Sequence, residues 1–187
     1  MSVFDRIKNL FLNCTAQITQ SAEERPVFRV IRERKIRSIV EIGVGNGHRT
    51  QRLLEAALRN RPTAGIVYTG IDLFEGRAGR THGLSLKAFH RMLTPSQAKV
   101  RLVPGDPYTA IAQVANSLAG TELLIISADQ FGDALDRAWF YIPRLLAPGA
   151  TVLIEAIDPK TGEPMLQPLS QLEVELLVAK ARPRRAA

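Results

Sequence analysis

The chain has 187 residues, 45% of them hydrophobic, enough for a substantial core and close to the size of one domain. Its 25 Lys and Arg against 18 Asp and Glu give a net charge of +7, which would favour anionic partners if the basic residues converged on one face. No apolar stretch approaches the roughly 20 residues that span a bilayer, and the single Cys14 excludes an internal disulfide framework, so a reducing, cytoplasmic setting without membrane contact is the default.

Residues 1–34 are expected to be amino-terminal helices. Asp5, Arg6 and Lys8 lie among Phe4, Ile7, Leu10 and Phe11, an amphipathic pattern and not that of a secretory signal. The run Arg32-Glu33-Arg34-Lys35-Ile36-Arg37 interleaves an acid and directly precedes the first strand, so it reads as solvated surface. It also lacks the interleaved aromatics on which single-stranded bases stack.

Residues 38–47, Ser-Ile-Val-Glu-Ile-Gly-Val-Gly-Asn-Gly, open a core spanning residues 35–158. A short β-branched run leads to Glu41 and then to Gly43, Gly45 and Gly47, where the chain can turn from strand into helix and let its backbone touch a ligand. A dinucleotide fingerprint would carry its third glycine at the position held by His48, which disfavours NAD. The spacing Glu-x-Gly-x-Gly-x-Gly resembles the first motif of class I S-adenosylmethionine-dependent methyltransferases. That resemblance implies an acid, Glu41, near the methionine amino group of S-adenosyl-L-methionine, with Gly43, Gly45 and Gly47 passing under the methionine and ribose.

The elements that follow keep the family's order. Residues 66–72 read as a second strand ending in Asp72, which the resemblance places on the ribose hydroxyls with Leu73 beside it. Residues 100–103 form a third strand leading into Gly105, Asp106 and Pro107, the acid lying near the adenine in the family. Residues 122–129 are a nearly continuous apolar run, as expected of a central parallel strand, and end at Asp129, another implied cofactor contact. Residues 145–155 match the Leu-Leu-x-Pro-Gly turn and fifth strand of these enzymes.

Helical periodicity fills the gaps, with stripes at Leu53, Leu54, Ala57 and Leu58, at Ile111, Val114 and Leu118, and at Leu135, Trp139, Ile142 and Leu146. Such stripes are core. Strands alternating with helices predict an α/β fold: a Rossmann-like, doubly wound parallel sheet of about five strands in the order 3-2-1-4-5, helices on both faces.

Asp106-Pro107-Tyr108 superficially matches the Asp-Pro-Pro-Tyr box of amino-group nucleic-acid methyltransferases, but it lacks a proline and follows strand three, where that family's box follows strand four. Ser127-Ala128-Asp129-Gln130 is similar to the Asp-Ala-Asp segment of cation-dependent O-methyltransferases, with Ser127 replacing the metal-binding aspartate. The Asp-Asn pair after that family's fifth strand is absent around Glu155 and Asp158. A hard cation wants several oxygen ligands, so no catalytic metal is expected. His48, His82 and His90 show no metal spacing. Residues 74–83, rich in glycine and arginine, suggest a mobile loop over the sheet edge.

Residues 159–187 are expected to hold a helix, opened by a Ser170/Glu173 capping box and continued through Leu176, Leu177 and Lys180, and then the basic tail Arg182-Pro183-Arg184-Arg185. The family's usual final strand pair looks missing, so the acceptor wall would come from the amino-terminal helices, residues 74–90, or a second copy in a homodimer. Asp129, Glu155 and Asp158, near the carboxyl ends of strands four and five, are the candidate catalytic acids. The favoured reading is a metal-independent S-adenosylmethionine-dependent methyltransferase acting on a small molecule. The alternatives are a non-catalytic cofactor-binding or interaction protein and, behind it, an RNA or DNA methyltransferase or a nucleotide-dependent oxidoreductase.

Overall fold

The computed structural model describes residues 25–60, 65–76, 84–157 and 162–181. The amphipathic stretch around Phe4 to Phe11, the loop residues 77–83 with His82, Asp158 and the Arg-rich tail all lie outside the described residues.

Helix α1 (Arg25–Arg34) turns its apolar stripe, Val27, Phe28 and Ile31, inward. Strand β1 (Ser38–Ile42) follows, buried from Ile39 onward, and then α2 (His48–Asn60). Next come β2 (Val67–Asp72), a single helical turn at Phe74–Gly76, and α3 (Leu86–Leu93). Strand β3 (Lys99–Pro104) leads to α4 (Pro107–Val114), where Asp106 accepts a hydrogen bond from Thr109 N at 3.0 Å as the N-cap and Pro107 enters the first turn. Strand β4 (Thr121–Ile126) is followed by the turn Ala128–Gln130, α5 (Asp133–Ala138) and α6 (Ile142–Leu145). Strands β5 (Leu146–Ile157) and β6 (Pro164–Pro168) and helix α7 (Gln171–Ala181) complete the described chain.

The sheet runs β3-β2-β1-β4-β5-β6. Its first five strands are parallel, in the order expected from the sequence. Alternate residues of each strand serve opposite faces. Ile39, Tyr68, Leu123, Ile125 and Leu153 pack with α1, α2 and α3, whereas Val40, Ile42, Leu124, Ile126 and Val152 pack with α4, α5 and α6. Two separate cores on a two-faced sheet are what a doubly wound arrangement requires.

Three features differ from the sequence expectation. The stripe Leu135, Trp139, Ile142, Leu146 is split between α5 and α6, and Leu146 starts β5. Pro148 and Gly149 fall inside β5, where the pairing jumps from Thr121↔Leu146 to Leu123↔Thr151, so they lie in an irregular stretch of the strand itself. A sixth strand, β6, pairs antiparallel with β5 from Leu153↔Pro168 to Ile157↔Pro164. It covers that edge alone among the described residues. Proline at each end fits an edge strand, because a missing N–H costs nothing on the unpaired side.

Candidate functional site

The chain leaves β1 toward β2 on one side and, later, β4 toward β5 on the other, so the order reverses between β1 and β4. Ligands of open α/β sheets bind at the carboxyl ends of the strands beside such a reversal. The glycine loop lies there. Gly43, Gly45 and Gly47 have φ of +85°, +55° and +78°, conformations that side chains rarely adopt. Their surroundings differ. A Cβ on Gly43 would meet Gln130 Cγ at 2.7 Å and Ser127 Cβ at 2.8 Å, and one on Gly47 would meet Phe89 Cε2 at 2.7 Å. A Cβ on Gly45 would have nothing within 4 Å. Gly43 and Gly47 are therefore required by packing, and Gly45 presents open backbone to the crevice.

Glu41 shares its strand face with Ile39 and so points beneath α2, fully buried. Its carboxylate accepts hydrogen bonds from Thr50 Oγ1 at 2.6 Å, from Tyr68 OH at 2.7 Å and from Arg49 Nε at 2.8 Å. Gly70 stands opposite Glu41 in the register, and a Cβ there would press on Tyr68 OH at 3.0 Å, so the missing side chain makes room for this network. The Arg49 guanidinium reaches further, donating to Gly43 O at 3.1 Å, to Glu155 Oε1 at 3.3 Å and to Ser127 Oγ. Burial by itself lowers the Arg49 pKa, but Glu41, by charge and hydrogen bond, together with Glu155 and Tyr68 outweighs it and holds the pKa above its ordinary value. Burial and then the Glu41 charge push the Tyr68 phenol well above its usual range, so it remains a donor.

Asp72, at the end of β2, is also buried. Its Oδ2 accepts from Val44 N at 2.8 Å and its Oδ1 from Phe74 N at 2.9 Å, so it clamps the glycine loop to the turn after β2. Leu73 beside it is exposed, and Gly105 N donates to Asp72 O at 2.9 Å, bringing Asp106 and Pro107 to the same edge. The Thr109 hydrogen bond holds the Asp106 carboxyl below the usual carboxylate range. Past β4, Ser127 Oγ donates to Gly43 O at 2.6 Å, and exposed Asp129 accepts from Gln130 Nε2 at 3.1 Å with its carboxylate next to Gly43. Glu155 completes the edge, its Oε2 accepting from Ala128 N at 2.9 Å. The structure thus brings Glu41, Gly43, Gly45, Gly47, Asp72, Leu73, Asp106, Pro107, Asp129 and Glu155 to one end of the sheet, and Asp158 is not described.

Several residues here were not singled out by sequence. Arg49, Thr50 and Tyr68 form the buried network. Phe89 on α3 covers Gly47, though Ser85 before Leu86, Phe89 and Leu93 was a readable N-cap and stripe. Aromatics also gather with arginines elsewhere: Arg137 lies 3.8 Å over the Tyr108 ring, and Tyr141 stands 5.8 Å from Tyr108 and 5.0 Å from Phe140. Separate helices bring these together, so no linear run announces them. His48 and His90 are exposed, and the run from Arg32 to Arg37 lies on the surface apart from buried Ile36. Among the described residues no group of three or more His, Cys, Asp or Glu could hold a metal ion, and no helix is long and apolar enough to cross a membrane. A hollow of about 610 Å³ between the start of β5 and α7, lined by Pro143, Leu146, Val174 and Val178, lies at the opposite end of the sheet.

No protein-family model and no curated protein matches this sequence. Solved structures do match. An apo TDP-rhamnose 3'-O-methyltransferase of calicheamicin biosynthesis superposes with a TM-score of 0.58 at 18% identity, over 96% of this chain and 77% of the other. An O-methyltransferase from Streptomyces achromogenes involved in tomaymycin synthesis, in complex with S-adenosylmethionine, gives 0.52 at 15% identity, over 87% and 67%. A methyltransferase from Geobacter sulfurreducens gives 0.51 at 17% identity, over 81% and 70%. The chain has the class I, Rossmann-like fold of S-adenosylmethionine-dependent methyltransferases.

Proposed function

We propose that the protein is an S-adenosylmethionine-dependent methyltransferase acting on a small molecule without a metal. The observation that carries this is Gly45, open backbone at φ +55° on a glycine loop beside the sheet's reversal point, with Asp72 bonded to the adjoining Val44 N and Asp129 beside Gly43. The residues present fit the cofactor: Asp72 and Asp106 are acceptors for hydroxyl and base N–H groups, and a carboxylate has about four acceptor sites, so the backbone bonds of Asp72 do not by themselves use it up. Bound there, S-adenosylmethionine supplies an activated methyl group with its own leaving group.

The chain's own part is binding, orientation and exclusion of water. Gly45 lets the loop approach the ligand, and Asp72 fixes that loop through Val44 N. Asp129, exposed at the end of β4 and beside Gly43, is the acid best placed to take a proton from an acceptor hydroxyl. Glu155 is already tied to Arg49 and Ala128 N, which suits it to holding the crevice. That same engagement favours a second reading, a cofactor-binding protein that does not catalyse. The test is a methyl-transfer screen over phenols, amines, small acids and mixed RNA, with and without chelator and at two salt concentrations. Chelator-resistant transfer to a small acceptor supports the first reading. Cofactor binding without transfer supports the second, and salt-sensitive RNA methylation refutes both, since phosphate binding weakens steeply with salt.

A further inference from the structure

Arg49 crosses the crevice. Rising from the first turn of α2, its guanidinium bonds Glu41 and Gly43 O on the β1 side and Ser127 and Glu155 on the β4 and β5 side. Its side chain keeps 15% exposure while that of Glu41 has none, so a ligand entering the crevice meets the cation and not the acid beneath it. Ammonium and guanidinium need the same partners, carboxylates and carbonyl or hydroxyl oxygens, and here one planar fork already holds them. Like charges sharing one site repel.

We propose that Arg49 takes the place of the ammonium of a ligand's zwitterionic amino-acid end, holding the acceptors that ammonium would need, so that this crevice recognises the adenosine part of the cofactor and gains little from the amino-acid tail. This rests on the cofactor reading above. It makes Arg49 a specificity-determining residue: adenine nucleosides with short, uncharged tails compete with the full cofactor on nearly equal terms, and breaking the fork restores the preference for the tail.

The test is calorimetric titration of the wild-type protein and Arg49→Lys with 5'-methylthioadenosine and S-adenosylhomocysteine, which share the adenosine and thioether and differ in the amino-acid tail. Lysine keeps a charge for buried Glu41 but cannot fork across to Ser127 and Glu155. Expected are wild-type affinities within about threefold of each other and a preference of about tenfold or more for S-adenosylhomocysteine in Arg49→Lys. A wild-type preference of about thirtyfold or more for S-adenosylhomocysteine overturns the inference while leaving the cofactor reading intact, and this comparison needs no variant to fold. A preference that falls in Arg49→Lys also overturns it, because Arg49 would then be assisting the tail. Binding of neither nucleoside by the wild-type protein overturns the cofactor reading and this inference together.

Discussion

Arg49 Nε lies 2.8 Å from Glu41 Oε1, an ion pair whose acid is entirely buried. Removing one partner from such a pair leaves an uncompensated charge, which costs far more than the pair itself contributes. Arg49→Met is therefore expected to lower unfolding stability by about 3–5 kcal/mol, and Arg49→Met combined with Glu41→Met by less than the sum of the two single changes. Urea denaturation of the three variants measures this, and simple additivity would deny that the pair acts as a unit.

Tyr68 extends the same network. Its hydroxyl donates to Glu41 at 2.7 Å from a fully buried position, so Tyr68→Phe should cost about 1.5–3 kcal/mol, the range for a hydrogen bond to a charged group. The pH dependence has a definite sign. The folded-state pKa is raised, so the unfolded chain releases the phenolic proton first, and stability is full below about pH 10 and falls above it. Tyr68→Phe should flatten that alkaline limb. An unchanged slope in denaturation curves above pH 10 would show that the phenol ionises equally in both states.

Two of the loop glycines, Gly43 and Gly45, should separate by role. Each residue placed at positive φ costs roughly 1–2 kcal/mol of backbone strain. Gly45→Ala should lose about that much and no more, because nothing lies within 4 Å of the added Cβ. Gly43→Ala adds overlap with Gln130 and Ser127 and should lose clearly more. Melting temperatures of the two variants decide it, and equal losses would contradict the packing difference.

Much of this architecture was legible in the sequence because it rests on local pattern. The apolar run from Leu123 to Ile126 and the Gly43, Gly45, Gly47 spacing each fix a strand or turn with a few neighbouring residues, and the five parallel strands follow in the expected order. Strand β6 was not legible: Pro164-Met165-Leu166-Gln167-Pro168 is short, flanked by proline and without alternation, and exists because β5 offers it an edge. Glu41 shows the limit at the site. Two-residue alternation puts it on the face of Ile39, pointing beneath α2, but its partners Arg49, Thr50 and Tyr68 come from two other elements and only folding assembles them.

Asp72 clamps the glycine loop, and one variant can separate that role from the proposed hold on the cofactor. Asp72→Ala removes the acceptor of Val44 N and of Phe74 N, each orphaned donor costing about 1–3 kcal/mol, so stability should fall. Affinity for S-adenosylhomocysteine should fall as well, by about tenfold or more if the carboxylate also takes ribose hydroxyls. Stability lost with affinity kept, measured on the folded fraction, would confine Asp72 to the loop clamp.

The most direct measurement is titration calorimetry of S-adenosylmethionine into the wild-type protein and into Gly45→Val. The wild type is expected to bind saturably at one site, and Gly45→Val, whose Cβ would have nothing within 4 Å, to remain folded at a cost in backbone strain and lose that binding. Unchanged binding in folded Gly45→Val, no binding by the wild type, or tighter binding of NAD than of S-adenosylmethionine would contradict the assignment of this loop as the cofactor site.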